Sequence, residues 1–394
     1  MDHRADLGVT VPPELVREFL GKLHYVSEAL ETFAMVSGTR SAVDFRLRSG
    51  HEGERAAVSA RIAEVAQQLC RGYRQAERKV LTRRDDRGTT YAEDPYPWLV
   101  ARQEVFQYGA GRIGFGPLMC DLMDVLDRRI QRMAGTFAAE RRQFPSVIGA
   151  ATLERCGYMR SFPHTLTFVT HLREDLRAIE RFAAGAAVEG GRLAMSDDAL
   201  AGVESLLASA VCFHLYALLA DTVQPAPRAV TARGRCYRWE SGNLLGVERL
   251  WDFSMREVIF VGPADWVLVQ RRRGIELATA LLDDLGLAYT IETATDPFFI
   301  ENYAAHAAFQ AAFDLKYEAR ALLPWKNDTL AVGSFNYHQD FFGRAFAMRE
   351  SIYGAPLHTA CVAFGIERLA FAIVAQHGPE PAAWPPALRA ELSG

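Results

Sequence analysis

The sequence predicts an α+β protein on two observations: helical spacing of apolar residues dominates the first third, and strand alternation with turn residues takes over beyond Arg233. Residues 13 to 36 read as helix. Residues 52 to 82 give a longer amphipathic helix, with Val58, Ile62, Val65, Leu69 and Tyr73 recurring along one face. Between them, SAVDFRLRSG reads as a short strand or extended link. The polar stretch RRDDRGTTYAEDPYP, residues 83 to 97, holds a glycine and two prolines and marks a domain boundary. Two domains are therefore expected: a mainly helical N-terminal extension over residues 1 to 97, and a second domain over 98 to 394. The second opens with a long helix from Pro117 to Ala138, then a segment ending at Phe144 and Pro145, then GYMRSFPHT. Another helix is expected from Asp198 toward Cys212. No internal repeat and no low-complexity tract interrupts this order.

Composition narrows the functional classes. With 49% hydrophobic and 23% charged residues the chain can bury a large core. A formal net charge of -4 supplies no broad attraction for nucleic-acid phosphates, so any polyanion has to be met by a local patch. The opening MDHRADLGVTVPPE lacks an apolar h-region, and no stretch reaches the roughly 18 uncharged apolar residues of a membrane span, which points to the cytoplasm and no membrane. Cys70, Cys120, Cys156, Cys212, Cys236 and Cys361 lie far apart, a pattern of reduced thiols or metal ligands and not of a disulfide framework.

The most informative stretch is GRCYRWESGNLLGVERLWDFSMREVIFVG, residues 234 to 262. Alternation puts Cys236, Arg238 and Glu240 on one face of a strand and Tyr237 and Trp239 on the other. Phe253, Met255 and Glu257 share one face of a return strand, and Gly242, Asn243 and Gly246 make the connection a flexible loop. If the strands pair antiparallel, Arg238, Arg249, Phe253 and two carboxylates line one side. Guanidinium groups neutralise phosphate and a ring stacks on a base, so this is a candidate nucleotide surface; the alternative is a surface hairpin whose charges form solvated pairs.

This stretch resembles motif 2 of class II aminoacyl-tRNA synthetases, in which an Arg-x-Glu strand, here Arg238-Trp239-Glu240, leads through a loop to a return strand containing Phe, here Phe253. FGIERLAFAIV, Phe364 to Val374, resembles motif 3, and the helix and segment ending at Pro145 resemble motif 1, a dimer-interface element. The order of all three carries the resemblance, which implies an antiparallel sheet flanked by helices and a homodimer. It also implies ATP with magnesium, with Arg238 on the α-phosphate, Arg249 and Arg368 on the distal phosphates, Phe253 against adenine and Glu240 orienting the nucleotide. A helix N-terminus at Arg368 adds backbone N–H donors.

By spacing alone, Cys212 and Cys361 read as small core residues. The resemblance extends to the branch comprising archaeal-type seryl-tRNA synthetases and the amino acid:carrier-protein ligases, and implies one zinc ion held by Cys212, Glu257 and Cys361. Three protein ligands leave an open coordination position, which in that branch takes the α-amino group of the substrate. Cys236 reads as packing, and His214 and His338 as hydrogen-bonding scaffold residues. Asn336 is either a polar contact for substrate or a turn residue.

Within the branch, LAVGSFNYHQDFFGRAF (Leu330 to Phe346) and CGYMRSFPHT (Cys156 to Thr165) resemble the carrier-protein ligases, and the resemblance covers roughly residues 100 to 380. It implies activation of a small amino acid as an aminoacyl-adenylate and transfer to the phosphopantetheine thiol of a holo carrier protein, with no tRNA. The alternatives are a seryl-type tRNA synthetase and a non-catalytic amino-acid-binding regulator. There are two departures: the N-terminal segment is longer than the ligases lead one to expect, and Leu330 stands where class II enzymes often place a magnesium-binding acid. The basic runs Arg71 to Arg84 and Arg271 to Arg273 are either solvated faces or contacts for an acidic partner.

Overall fold

In the computed structural model, residues 3–73, 78–295 and 314–392 are described. The centre is an eight-stranded sheet in the order Val80–Arg83, Tyr289–Thr293, Lys316–Leu323, Asp328–Tyr337, His358–Gly365, Asp252–Gly262, Arg228–Tyr237 and Glu140–Arg141. Every pairing is antiparallel except the last, where Glu140–Arg141 runs parallel to Arg228–Tyr237. The two-residue period of these strands divides their side chains between two environments. Val258, Phe260, Phe335, Val362 and Phe364 go to one side, into a core with the helices Pro117–Gly135, Ala264–Asp284 and Ile366–His377. On the other side lie Glu257, Glu318, Asn336 and Cys361, matched by the register Asn336 to Cys361 and Ile259 to Cys361. Part of that second side is covered by the helix Cys212–Leu218 with Phe342 and Phe346, which bury Val230, Ile259 and Cys361; the remainder is the candidate site.

Residues 3–73 form a separate cluster, with strands His3–Asp6, Ala42–Leu47 and Leu30–Met35 adjacent in that order. The helices Val16–Leu23 and Arg55–Cys70 bury Phe19, Leu23, Val58, Ile62 and Leu69 against Phe45 and Val43 of that sheet. The large sheet takes in residues ahead of 98, because Val80–Arg83 pairs with Tyr289–Thr293 at its edge.

Several element boundaries differ from the sequence expectation. The helix expected over 13–36 is confined to a 3-10 turn and Val16–Leu23, and Leu30–Met35 is a strand because pairing with Ala42–Leu47 buries Leu30. Tertiary pairing here overrides local periodicity. The helix expected over 52–82 ends at Cys70; residues 74–77 of that stretch lie outside the described residues, and 80–83 is strand. Arg78, Lys79 and Arg84 of the basic run pair with Glu292, Asp314 and Asp283, so carboxylates of the chain itself already meet these charges. No helix runs from Asp198 to Cys212: residues Ser205–Leu207 are a strand pairing with Val147–Gly149, and the helix begins at Cys212 itself. Arg271 is buried, donating from Nη2 to the Asp314 carbonyl at 2.6 Å and stacking over Tyr317, so it is not part of an exposed run. Among the described residues no helix is long and apolar enough to cross a membrane.

Candidate active site

The hairpin strands Arg228–Tyr237 and Asp252–Gly262 pair residue by residue, with Cys236 opposite Phe253 and Ala232 opposite Glu257. Phe253, Met255 and Glu257 therefore share the open side of the sheet. Cys236 is buried there against Val211 and Ala232, in the packing role expected of it. The strand ends at Tyr237, earlier than its alternation suggests. Arg238 continues the ladder by one bond to the Trp251 carbonyl, but Glu240 enters a 3-10 turn over Ser241–Asn243. Glu240 thus reaches the site by a turn of the backbone and not by strand alternation.

Three arginines converge beyond that turn. Arg238 donates from Nε to the Ser209 carbonyl at 3.0 Å and holds its guanidinium carbon 5.5 Å from the Phe253 ring centroid, a cation–π distance. Arg249 is ion-paired with Glu240 across the loop. Arg368 stands in the first turn of the Ile366–His377 helix, which Gly365 leads into from the neighbouring strand, and its Nη1 lies 3.4 Å from the Ala331 carbonyl. Burial lowers the Arg368 pKa to about 10; Arg249 and Arg238 push in the same direction, while Glu240 and Glu318 oppose it. Those four groups therefore lie near enough to act on Arg368, which still carries its charge at neutral pH. The result is a cationic wall beside an aromatic ring, suited to phosphate and base.

The second constellation lies further along the same side. Glu257 is 1% exposed, Cys212 5% and Cys361 3%. Glu257 accepts the Val211 N–H on Oε1 at 3.0 Å, while its buried Oε2 has no hydrogen-bond partner among the described residues. Burial, with Cys361 beside it, raises the Glu257 pKa to about 8. Cys361 holds Cys212 well above the usual thiol range, seconded by burial and Glu257. Cys361 is itself the more acidic thiol, favoured by Cys212, His338 and Asn336. Asn336 donates from Nδ2 to Cys361 Sγ at 3.3 Å and to Ser334 Oγ at 3.2 Å, so it faces this cluster from its strand. His338 Nδ1 pairs with Thr359 Oγ1 at 3.0 Å, a scaffold contact, and His214 stacks on Phe144. Among the described residues no three His, Cys, Asp or Glu side chains stand in ready metal-binding geometry. The two thiols and the carboxyl group nevertheless act on one another, and the orphaned Oε2 of Glu257 suits a cation.

Two residues escaped the sequence reading. Glu318 faces the site opposite Ser334, salt-bridged to Lys316 at 3.2 Å and Arg320 at 3.0 Å; the charge alternation of KYEAR was the available signal. Glu367 braces the hairpin from the helix-covered side, accepting the Ser254 N–H and Arg235. Leu330 is buried in the core.

The fold and the converging arginines define a class II aminoacyl-tRNA synthetase-like catalytic domain. The seryl-tRNA synthetase of Methanopyrus kandleri, solved with Aquifex aeolicus tRNASec, superposes with a TM-score of 0.72 at 23% identity, covering 94% of this chain and 75% of that one. No protein-family model matches the chain. Amino acid--[acyl-carrier-protein] ligase 2 of Bradyrhizobium diazoefficiens is 36% identical over 273 residues, 66% of this chain and 78% of the relative. The type-2 serine--tRNA ligase of M. kandleri is 28% identical over 293 residues, 70% of this chain and 55% of its own length. The chain belongs to the amino acid--[acyl-carrier-protein] ligase family.

Proposed function

We propose that this chain activates a small amino acid with ATP and passes it to the phosphopantetheine thiol of a holo acyl or peptidyl carrier protein. The observation that carries this reading is the convergence of Arg238, Arg249, Arg368 and Phe253 beside the Cys212, Glu257 and Cys361 cluster on one side of the sheet. Together they match the two needs of the reaction, a site for a nucleoside triphosphate and a separate site for an amino acid.

In the first step a carboxylate oxygen of the amino acid attacks the α-phosphorus, and the bond from that phosphorus to the departing pyrophosphate breaks. The nucleophile is already ionised, so positioning and charge neutralisation carry the catalysis. Arg238 neutralises the α-phosphate, Arg249 and Arg368 the distal phosphates, Phe253 stacks on adenine, and Glu240 orients the nucleotide. Magnesium accompanies ATP. Cys212, Glu257 and Cys361 would hold zinc, which when bound supplies a Lewis-acid position for the amino group of the substrate. Asn336 orients Cys361 and borders the same substrate. In the second step the carrier thiol forms a C–S bond to the acyl carbon, the C–O bond to AMP breaks, and the thiol proton leaves to solvent.

We place the protein in the cytoplasm as a homodimer joined through the Pro117–Gly135 helix and the segment that follows it. The test of function is to incubate the chain, ATP and radiolabelled glycine, alanine or serine with holo carrier protein, its apo form, or total tRNA. Label on the holo carrier alone is expected. Label on tRNA with none on any carrier would replace this reading with the seryl-tRNA synthetase one, which the type-2 serine--tRNA ligase similarity keeps as the second choice.

A further inference from the structure

The loop of the nucleotide hairpin is anchored on its far half, where Val247 is buried in the main core and Glu248 pairs with Lys326, whereas Gly242 and Asn243 in its near half meet the N-terminal unit. Its turn needs Ser241 at φ 52° and Gly246 at φ 46°, and Leu245 at its tip is 63% exposed. Ordering the near half of the loop costs backbone entropy, which packing against another element offsets. The N-terminal unit meets the loop at the end of its Val16–Leu23 helix. Asn243 donates from Nδ2 to the Gly21 carbonyl at 3.2 Å, and a Cβ on Gly21 would come within 3.4 Å of Asn243 Oδ1. The His24 ring lies against Gly242 so closely that a Cβ there would fall 2.2 Å from Nδ1. Behind it, His24 packs edge-on against Phe33 of the N-terminal sheet at 4.7 Å, while Leu23 and Val26 sit in that unit's core. Tyr25 meets His164 edge-on at 5.1 Å. Its pKa is raised by burial first and then by Glu240, with Arg249 and Asn243 opposing, which sets it beside the loop. A continuous path thus runs from the N-terminal core through Gly21, His24 and Tyr25 to the loop and its Glu240–Arg249 pair.

We propose that the N-terminal unit serves the nucleotide half-reaction, with His24, Tyr25 and Asn243 as positioning residues that hold the 240–249 loop so that Arg249 stays on the phosphate side. None of the three is a catalytic residue, since each acts through the loop. The proposal rests on the ATP-dependent activity argued above. It also gives the extension a task that needs neither tRNA nor a carrier: the near half of the loop is set before ATP arrives, which lowers the entropy lost on binding.

The experiment compares full-length Asn243→Ala, Gly242→Ala, Tyr25→Ala and Tyr25→Phe with the parent chain. Arg17→Ala is the control, because Arg17 lies on the same helix and makes an exposed 3.5 Å ion pair to Asp328, which is not a residue of the loop. Hydrogen–deuterium exchange of residues 239–250 is expected to quicken in the first three variants. The KM for ATP in pyrophosphate exchange should rise about tenfold, a shift typical of losing one or two such contacts, with kcat, the amino acid KM and the melting temperature near those of the parent. Tyr25→Phe, which keeps the ring against His164, should move less than Tyr25→Ala, and Arg17→Ala should not move. Unchanged loop exchange and ATP KM would overturn the proposal. So would an equal decline of every kinetic constant together with the melt, since that is the mark of a folding defect. If the parent chain supports no pyrophosphate exchange with any amino acid, the activity reading fails by itself; calorimetric ATP affinity beside loop exchange then decides the clamp, and equal affinity in all chains overturns it.

Discussion

Glu367 accepts the main-chain N–H of Ser254 on both carboxylate oxygens, at 2.8 and 2.9 Å. Arg368 follows Glu367 on the helix and Phe253 precedes Ser254 on the strand, so this one contact sets the spacing between the guanidinium and the ring. Arg235 adds a 3.3 Å contact from the side, and burial raises the Glu367 pKa against the opposing pull of Arg235 and the backbone donors.

Removing the brace should therefore affect stability and nucleotide binding together. Glu367→Ala leaves the Ser254 N–H buried without its acceptor, at a cost of about 2 kcal/mol. A lower denaturant midpoint and a raised ATP KM are expected, read by urea unfolding and pyrophosphate exchange. An unchanged midpoint would show that water or a neighbour replaces the carboxylate.

Arg368→Ala should separate chemistry from folding. Among the described residues its hydrogen bond is a weak one to a carbonyl, at 3.4 Å, so truncation costs the fold little. It does remove a charge held beside the reacting phosphates. Loss of one such contact of about 3 kcal/mol corresponds to roughly a hundredfold in rate. Pyrophosphate exchange should fall at least that far while the thermal melt stays in place; near-normal exchange in a folded variant would remove Arg368 from the triphosphate.

One zinc ion per chain is expected, because a buried carboxylate oxygen without a partner beside two thiols is costly unless a cation satisfies it. Elemental analysis of protein purified without added metal reads the stoichiometry. Cys212→Ala/Cys361→Ala should lose the metal, and Glu257→Gln should weaken its retention against a chelator. Full retention of zinc by the double variant would place the ion elsewhere, and parent protein without zinc would end the metal reading.

The legibility of the sequence varied with the range of the forces involved. The hairpin could be read because its strands pair locally and its alternation survives in the sequence: Phe253, Met255 and Glu257 do share a face. Glu240 could not be placed by the same rule, since the strand stops at Tyr237 and a 3-10 turn follows. Cys212, Glu257 and Cys361 come together only through the neighbouring strands and the short helix packed on them, so spacing alone reads two of them as core residues. Leu30–Met35 reads as the end of a helix although its partner, Ala42–Leu47, follows after only six residues, because the helix just ahead of it extends its pattern into this stretch. The contact between Gly21 and Asn243 of the nucleotide loop, more than two hundred residues apart in the chain, left no local pattern at all.

Magnesium gives the remaining prediction. Leu330, at the position where class II enzymes often place a magnesium-binding acid, is 6% exposed in the helix-covered core and has no side-chain oxygen to offer. On the adjacent strand Glu318 faces the site opposite Ser334, and with Glu240 it is one of two carboxylates that act on Arg368. Glu240 is engaged by Arg249, whereas Glu318 is flanked by Lys316 and Arg320 at ordinary ion-pair distances. A hard divalent cation on triphosphate oxygens favours a nearby carboxylate over an amide. Glu318→Gln should therefore raise the magnesium concentration for half-maximal pyrophosphate exchange several-fold at fixed ATP, with the amino acid KM and the melt close to those of the parent. A magnesium titration at constant ionic strength makes the measurement. A curve that superposes on the parent's would assign Glu318 to holding Lys316 and Arg320 in place, and the cation would then be held by phosphates and water alone.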